Sequence, residues 1–95
     1  MTQTPSIFLI GLNHKTAGVE IRERFALADC LKDDAPVINL DGVINEAVVV
    51  STCNRVEILA VGQGTEVREH ILQQWAQCKG RKAEELRPYV YIHEN

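Results

Sequence analysis

Cys53 lies in the run Ser51-Thr52-Cys53-Asn54-Arg55, which sets a thiol beside short polar side chains and a guanidinium. A thiolate is the reactive form of cysteine, and a neighbouring cation stabilises it. Arg55 can supply that charge, or it can grip a carboxylate through two parallel hydrogen bonds. Thr52 and Asn54 add hydroxyl and amide groups able to orient the same carboxylate or an oxyanion. Together these types suit a nucleophile working on a carboxylate-bearing substrate. On residue types alone, a turn cysteine beside a solvated arginine is the commoner arrangement.

An exposed, well-placed thiol needs a rigid platform, and the flanking residues predict one. Ala47-Val48-Val49-Val50 is β-branched and too short for a helix, so it reads as a strand, and Val56 to Val61 reads as a second. The five residues between them are few enough to make the pair an antiparallel hairpin, with Asn54 best able to take a left-handed turn conformation. Ser6 to Leu12 is an apolar first strand after Pro5, expected to be buried on both faces. Asn13 to Gly18 is a polar loop.

The period then changes. Val19, Ile21, Phe25, Ala26 and Leu27 fit a short helix, with Glu20, Arg22, Glu23 and Arg24 on its wet side. Ala28 to Leu31 extends it by a turn before Pro36, and Pro36 to Asn45, with its Asp41-Gly42 turn signal, is irregular. Thr65 is placed to cap a second helix, carried by Val67, Ile71, Leu72, Trp75 and Cys78 and closed by Gly80. Arg81 to Leu86 is a charged helical turn ended by Pro88, and Tyr89 to His93 is the last strand. The order β-α-β-β-α-β predicts an α+β fold: a ferredoxin-like plait with a four-stranded antiparallel sheet and two main helices on one face.

Composition narrows the function. Ninety-five residues, 45% of them apolar, make one small domain that buries roughly 64% of its unfolded surface. That excludes a complete six-strand dinucleotide-binding domain. No apolar run is long enough to span a bilayer, and Ser6 to Ile10 has neither the basic flank nor the cleavage site of a signal peptide. Residues 1–47 carry four basic and seven acidic side chains, and residues 48–95 carry six of each. With no basic stripe, these residues alone should hold nucleic acid weakly.

Cys30, Cys53 and Cys78 include no CxxC pair, and no histidines stand at ligand spacing. Reduced thiols are expected, with neither a disulfide framework nor a metal site. Cys30 and Cys78 read as packing or surface thiols, Trp75 as core and His93 as a surface histidine. Gly62-Gln63-Gly64-Thr65-Glu66-Val67, with Glu84 further on, imitates a dinucleotide fingerprint. Val67 replaces its third glycine and too little chain follows for a parallel sheet, so a plain strand-to-helix turn is expected.

Three blocks carry a resemblance: Gly11-Leu12-Asn13-His14-Lys15-Thr16-Ala17, then Ile21-Arg22-Glu23-Arg24-Phe25, then Ser51-Thr52-Cys53-Asn54-Arg55-Val56-Glu57. In this order and spacing they closely resemble the N-terminal catalytic domain of glutamyl-tRNA reductase, and the likeness continues to Tyr91-Ile92-His93. No common fold requirement dictates the Asn-His-Lys-Thr loop together with the Thr-Cys-Asn-Arg turn. The sequence departs from the family at Gly18, where proline is common.

The resemblance implies the first step of tetrapyrrole (porphyrin) synthesis by the five-carbon route. Cys53 matches the family nucleophile, which forms a glutamyl thioester from glutamyl-tRNA, and hydride from NADPH then yields glutamate-1-semialdehyde. Thr52, Cys53, Asn54 and Arg55 match its substrate-binding stretch, and His14 and Lys15 fall in a possible active-site loop. Together with the reduced thiols, the missing metal-ligand spacing and the short apolar runs, the expectation is a cytoplasmic enzyme without metal or membrane attachment. Residues 1–95 would then be the N-terminal part of the catalytic domain. The NADPH-binding domain and a dimerisation domain would lie outside, so the fragment should not complete the reduction. A different class of function is a free-standing ferredoxin-like regulatory or interaction module with a redox-sensitive cysteine. A downstream reading frame encoding a glycine-rich βαβ fold would discriminate the two.

Overall fold

Residues 5–30, 38–40 and 42–95 are described by a computed structural model. Four strands, β1 (Ser6–Asn13), β2 (Ile44–Ser51), β3 (Arg55–Gly62) and β4 (Tyr91–Glu94), form one sheet in the order β2-β3-β1-β4. All three pairings are antiparallel. The helices are α1 (Val19–Arg24), α2 (Val67–Cys78) and the short α3 (Ala83–Leu86), followed by a 3-10 turn at Arg87–Tyr89. This architecture is α+β and consistent with the expected ferredoxin-like plait. Among the described residues, no helix is long and apolar enough to cross a membrane.

Alternation in the strands decides which face is covered. Phe8, Ile10 and Leu12 of β1 and Val56, Ile58 and Ala60 of β3 point inward and are buried, in one core with Phe25, Leu27, Val67, Ile71 and Trp75. Trp75 is fully buried, and its indole Nε1–H donates to the Phe25 carbonyl at 2.8 Å, so its one polar group is satisfied. α2 closes as expected at Gly80. The Gly80 N–H donates to the Gln77 carbonyl and Arg81 N–H to Ala76, a Schellman pattern that glycine permits at φ +67°.

Several expectations need correction. β1 is not buried on both faces: Ile7 is 45% exposed, and Val48, Val50 and Leu59 share that open outer face. Nothing among the described residues covers it. α1 stops at Arg24 because the chain turns there toward the sheet, and the Leu27 N–H donates to the Ser51 hydroxyl at 3.0 Å instead of continuing the helix. Ala28 to Cys30 form only a turn, closed by the Cys30 N–H on the Leu27 carbonyl; Leu31, Pro36 and Asp41 lie outside the described residues. β2 begins at Ile44, earlier than expected, because a bulge at Asn45 interrupts its alternation. Glu66, already helical in conformation, replaces Thr65 as the N-cap of α2 and makes no side-chain capping bond. β4 starts at Tyr91 because Pro88 sits in the 3-10 turn before it.

Candidate functional site

The β2–β3 hairpin pairs Ser51 with Val56 and closes with the Thr52 N–H on the Arg55 carbonyl at 2.8 Å. Cys53 and Asn54 are therefore its tip. Asn54 does not take the expected left-handed conformation, since no non-glycine residue among those described has positive φ. The Thr52 hydroxyl braces the turn instead. Its Oγ1 accepts the N–H groups of Asn54 (3.3 Å) and Arg55 (3.2 Å) and lies 3.3 Å from the Arg55 carbonyl as a donor. Thr52 thus spends its hydroxyl on the fold of the turn. Cys53 is exposed and is the one free thiol.

β1 delivers the second wall. Asn13 pairs with Arg55 in register, so the loop after β1 emerges beside the hairpin tip. Asn13 Oδ1 accepts the N–H of Lys15 at 2.9 Å, and the Thr16 hydroxyl accepts that of Asn13 at 3.1 Å. Half of the Asn-His-Lys-Thr loop is therefore structural: Asn13 and Thr16 brace each other's backbone. His14, exposed on this loop, joins Val50, Thr52, Asn54, Arg55 and Glu57 around an open hollow of about 520 Å³. Lys15 is exposed but does not line it. Gly18 is the N-cap of α1 with φ −69°, a value that proline also takes.

Charge at the hollow is shared along the open face of the sheet. Arg55 Nε lies 3.7 Å from Glu57 Oε1, and the Tyr91 hydroxyl donates to the other oxygen, Glu57 Oε2. Burial pushes the Tyr91 phenol up to about 12, helped by its bond to Glu57 and the negative charge there, and opposed by Arg55 and the Asn13 side chain. Tyr91 is accordingly a donor throughout the physiological range. The sequence reading missed Glu57 and Tyr91. Their only signal was register, because each lies directly opposite Gly11 on the strands flanking β1.

Gly11 is what lets them meet. A Cβ at this position would stand 2.7 Å from Glu57 Cγ and from the Val56 carbonyl oxygen, and 3.0 Å from Tyr91 Oη. The backbone oxygen cannot swing aside, so Gly11→Ala is expected to cost about 1–3 kcal/mol through overpacking in the central strand. The check is the thermal midpoint of the variant. An unchanged midpoint would show that β1 accommodates the methyl freely.

The other thiols differ from expectation. Cys30 and Cys78 are joined as a disulfide, with Cα atoms 6.4 Å apart, linking the turn after α1 to the last residue of α2. The sequence predicts reduced thiols from an odd cysteine count without a CxxC pair or secretion signal; the pairing joins positions 48 residues apart, which no local spacing marks. Alkylation at neutral pH without reductant is therefore expected to label Cys53 alone, with Cys30 and Cys78 becoming reactive only after reduction. Peptide mapping by mass spectrometry reads this directly, and equal labelling of all three before reduction would contradict it.

The Gly62–Val67 segment does not fit a dinucleotide phosphate. Gly62 ends β3, Val67 is fully buried where the motif needs a glycine, and the small hollow there is lined by Gln63, Gly64, Thr65 and the acidic Glu66. His93 is exposed at the end of β4, away from the hairpin hollow.

Comparison with known proteins identifies the family. Residues 10–95 match the family described as Glutamyl-tRNAGlu reductase, N-terminal domain. The glutamyl-tRNA reductase of Nitratidesulfovibrio vulgaris strain DP4 is 56% identical over 88 residues, covering 93% of this chain and 20% of that protein. That of Oleidesulfovibrio alaskensis is 54% identical over 87 residues, covering 92% and 19%, and that of Lawsonia intracellularis 49% over 89 residues, covering 93% and 20%. The chain thus spans about a fifth of the length of these relatives. With a family match over nearly its whole length and relatives this similar, the chain belongs to the glutamyl-tRNA reductase N-terminal domain family.

Proposed function

We propose that this chain is the nucleophile-bearing part of a glutamyl-tRNA reductase, acting in the first step of tetrapyrrole synthesis. The observation that carries the reading is Cys53, a free and exposed thiol at the tip of a braced hairpin beside a hollow walled by Arg55. The Cys53 thiolate attacks the ester carbonyl of glutamyl-tRNA. The carbon–oxygen ester bond breaks, the tRNA oxygen leaves and takes from water the proton that the thiol had given up to it, and the glutamyl group stays on sulfur. Arg55 receives the side-chain carboxylate of that group, and Asn54 lines the same wall. A thioester accepts hydride more readily than the oxygen ester it replaces. NADPH supplies the hydride that gives glutamate-1-semialdehyde, and it is held outside these residues.

The same reading places the longer protein in the cytoplasm, as a homodimer joined through regions beyond this chain. Contacts to tRNA would lie mostly beyond it too, since residues 48–95 carry no net charge. The length of the relatives favours this reading over a free-standing redox module. Its test is to mix the full-length enzyme with glutamyl-tRNA while withholding NADPH, then to map the digest by mass. A glutamyl group on the Cys53 peptide is the expected result. Its absence, with tRNA release intact, would assign the nucleophile elsewhere.

A further inference from the structure

We propose that Tyr91 is a positioning residue for Arg55, acting through Glu57 across the bare backbone of Gly11. The proposal rests on the reading that Arg55 grips the substrate carboxylate. Glu57 on β3 and Tyr91 on β4 are not on neighbouring strands, because β1 runs between them and places Gly11 opposite both. Two interstrand gaps amount to about 9–10 Å, a span that two long side chains can bridge only if the residue between them does not stand in the way. Gly11 leaves that path open, and the Tyr91 hydroxyl reaches Glu57 Oε2.

The consequence falls on Arg55. With one oxygen held by Tyr91, Glu57 turns the other toward Arg55 Nε at 3.7 Å. The carboxylate therefore occupies the Nε side of the guanidinium. Its two terminal nitrogens are left for an incoming carboxylate in the end-on, two-bond arrangement that suits the planar fork. Arg55 is 54% exposed and Glu57 only 18%, so the arginine is the mobile member and the glutamate the fixed one. An exposed pair of this kind adds little stability, but it reduces the rotamers Arg55 must give up when substrate binds. The raised phenol keeps Tyr91 a donor, which the arrangement requires.

Without the hydroxyl, Glu57 swings and Arg55 must be ordered by the substrate itself. Ordering one long side chain corresponds to about 2- to 12-fold in binding. Tyr91→Phe is thus expected to raise KM for glutamyl-tRNA by about that factor while leaving kcat and the alkylation rate of Cys53 unchanged. The experiment uses the full-length enzyme and a double-mutant cycle with Arg55→Lys, with Glu57→Gln as a second break in the same chain of contacts. In the double variant the Tyr91 effect should vanish, because lysine has no planar fork for Glu57 to orient toward the substrate. Losses that add in the double variant, an unchanged KM in Tyr91→Phe, or a fall in kcat alone would each overturn the proposal. Should Tyr91→Phe fail to fold, Glu57→Gln must show the same KM rise and the same loss of effect with Arg55→Lys, or the proposal falls. Full activity in Arg55→Lys alone would instead refute the carboxylate grip, so the two failures are told apart.

Discussion

Cys53→Ser in the full-length enzyme is expected to abolish glutamyl transfer to the protein, with no adduct detectable on the residue 53 peptide. At neutral pH a cysteine already holds a small share of reactive thiolate, whereas a serine hydroxyl attacks an ester only when a base removes its proton. Among the described residues no hydrogen bond joins His14 or any other base to position 53, and the Thr52 hydroxyl is committed to the turn. The exposed tip gives the serine the same access as the thiol but no activation. The fold should be untouched, because the side chain is exposed at the tip and the brace belongs to Thr52. The measurement is single-turnover release of tRNA with mass mapping, beside a thermal melt of both proteins. Adduct formation at the wild-type rate in Cys53→Ser would move the nucleophile to another residue. A shifted melting point would mean that the tip contributes to folding in a way its exposure does not suggest.

The parts of the fold legible in the sequence were those governed by local rules. β-branched runs marked β2 and β3, a helical period marked α2, and a glycine marked its end. What escaped depended on tertiary contacts. α1 is cut short by a bond from Leu27 to Ser51, far along the chain, and the bulge at Asn45 hides the start of β2 from any test of alternation. The misreading of β1 is the most instructive. A continuous apolar run looks like a strand buried twice over, yet here its second face lies open, with Ile7 among the exposed residues. The run records what apolar side chains prefer, whereas burial depends on what is present to cover them.

The site divides in the same way. Cys53, Asn54 and Arg55 are contiguous, so spacing alone grouped them; register brings His14 to the hollow that Asn54 and Arg55 line, while Cys53 stands exposed at the hairpin tip and does not line it. Thr52 was legible as polar, but its use as a brace depends on turn geometry that residue types do not fix. Glu57 and Tyr91 were invisible because they meet across an intervening strand, at positions 34 residues apart. Gly11 sat inside a recognised block, though its reason is the bridge that passes over it.

Arg55→Lys is expected to lower kcat/KM for glutamyl-tRNA steeply while leaving the Cys53 thiol reactive toward a small uncharged alkylating agent. Lysine keeps the charge but offers a single nitrogen where arginine offers a planar fork. In this structure the difference is enlarged by Glu57, whose free oxygen already faces residue 55. An arginine can satisfy Glu57 from Nε and still present both terminal nitrogens to the substrate. A lysine held by Glu57 has no second group to present, and one that leaves Glu57 gives up its partner. The loss of a charged hydrogen bond corresponds to about 1.5–3 kcal/mol, or about 10- to 150-fold in kcat/KM. Alkylation should be nearly unchanged, because an uncharged reagent needs only the exposed sulfur at the hairpin tip. Steady-state reduction of glutamyl-tRNA and alkylation rates, measured on the same preparations, separate the two functions. Equal losses in both would make Arg55 an activator of the thiol, and full activity would leave it an ordinary solvated turn residue beside Glu57.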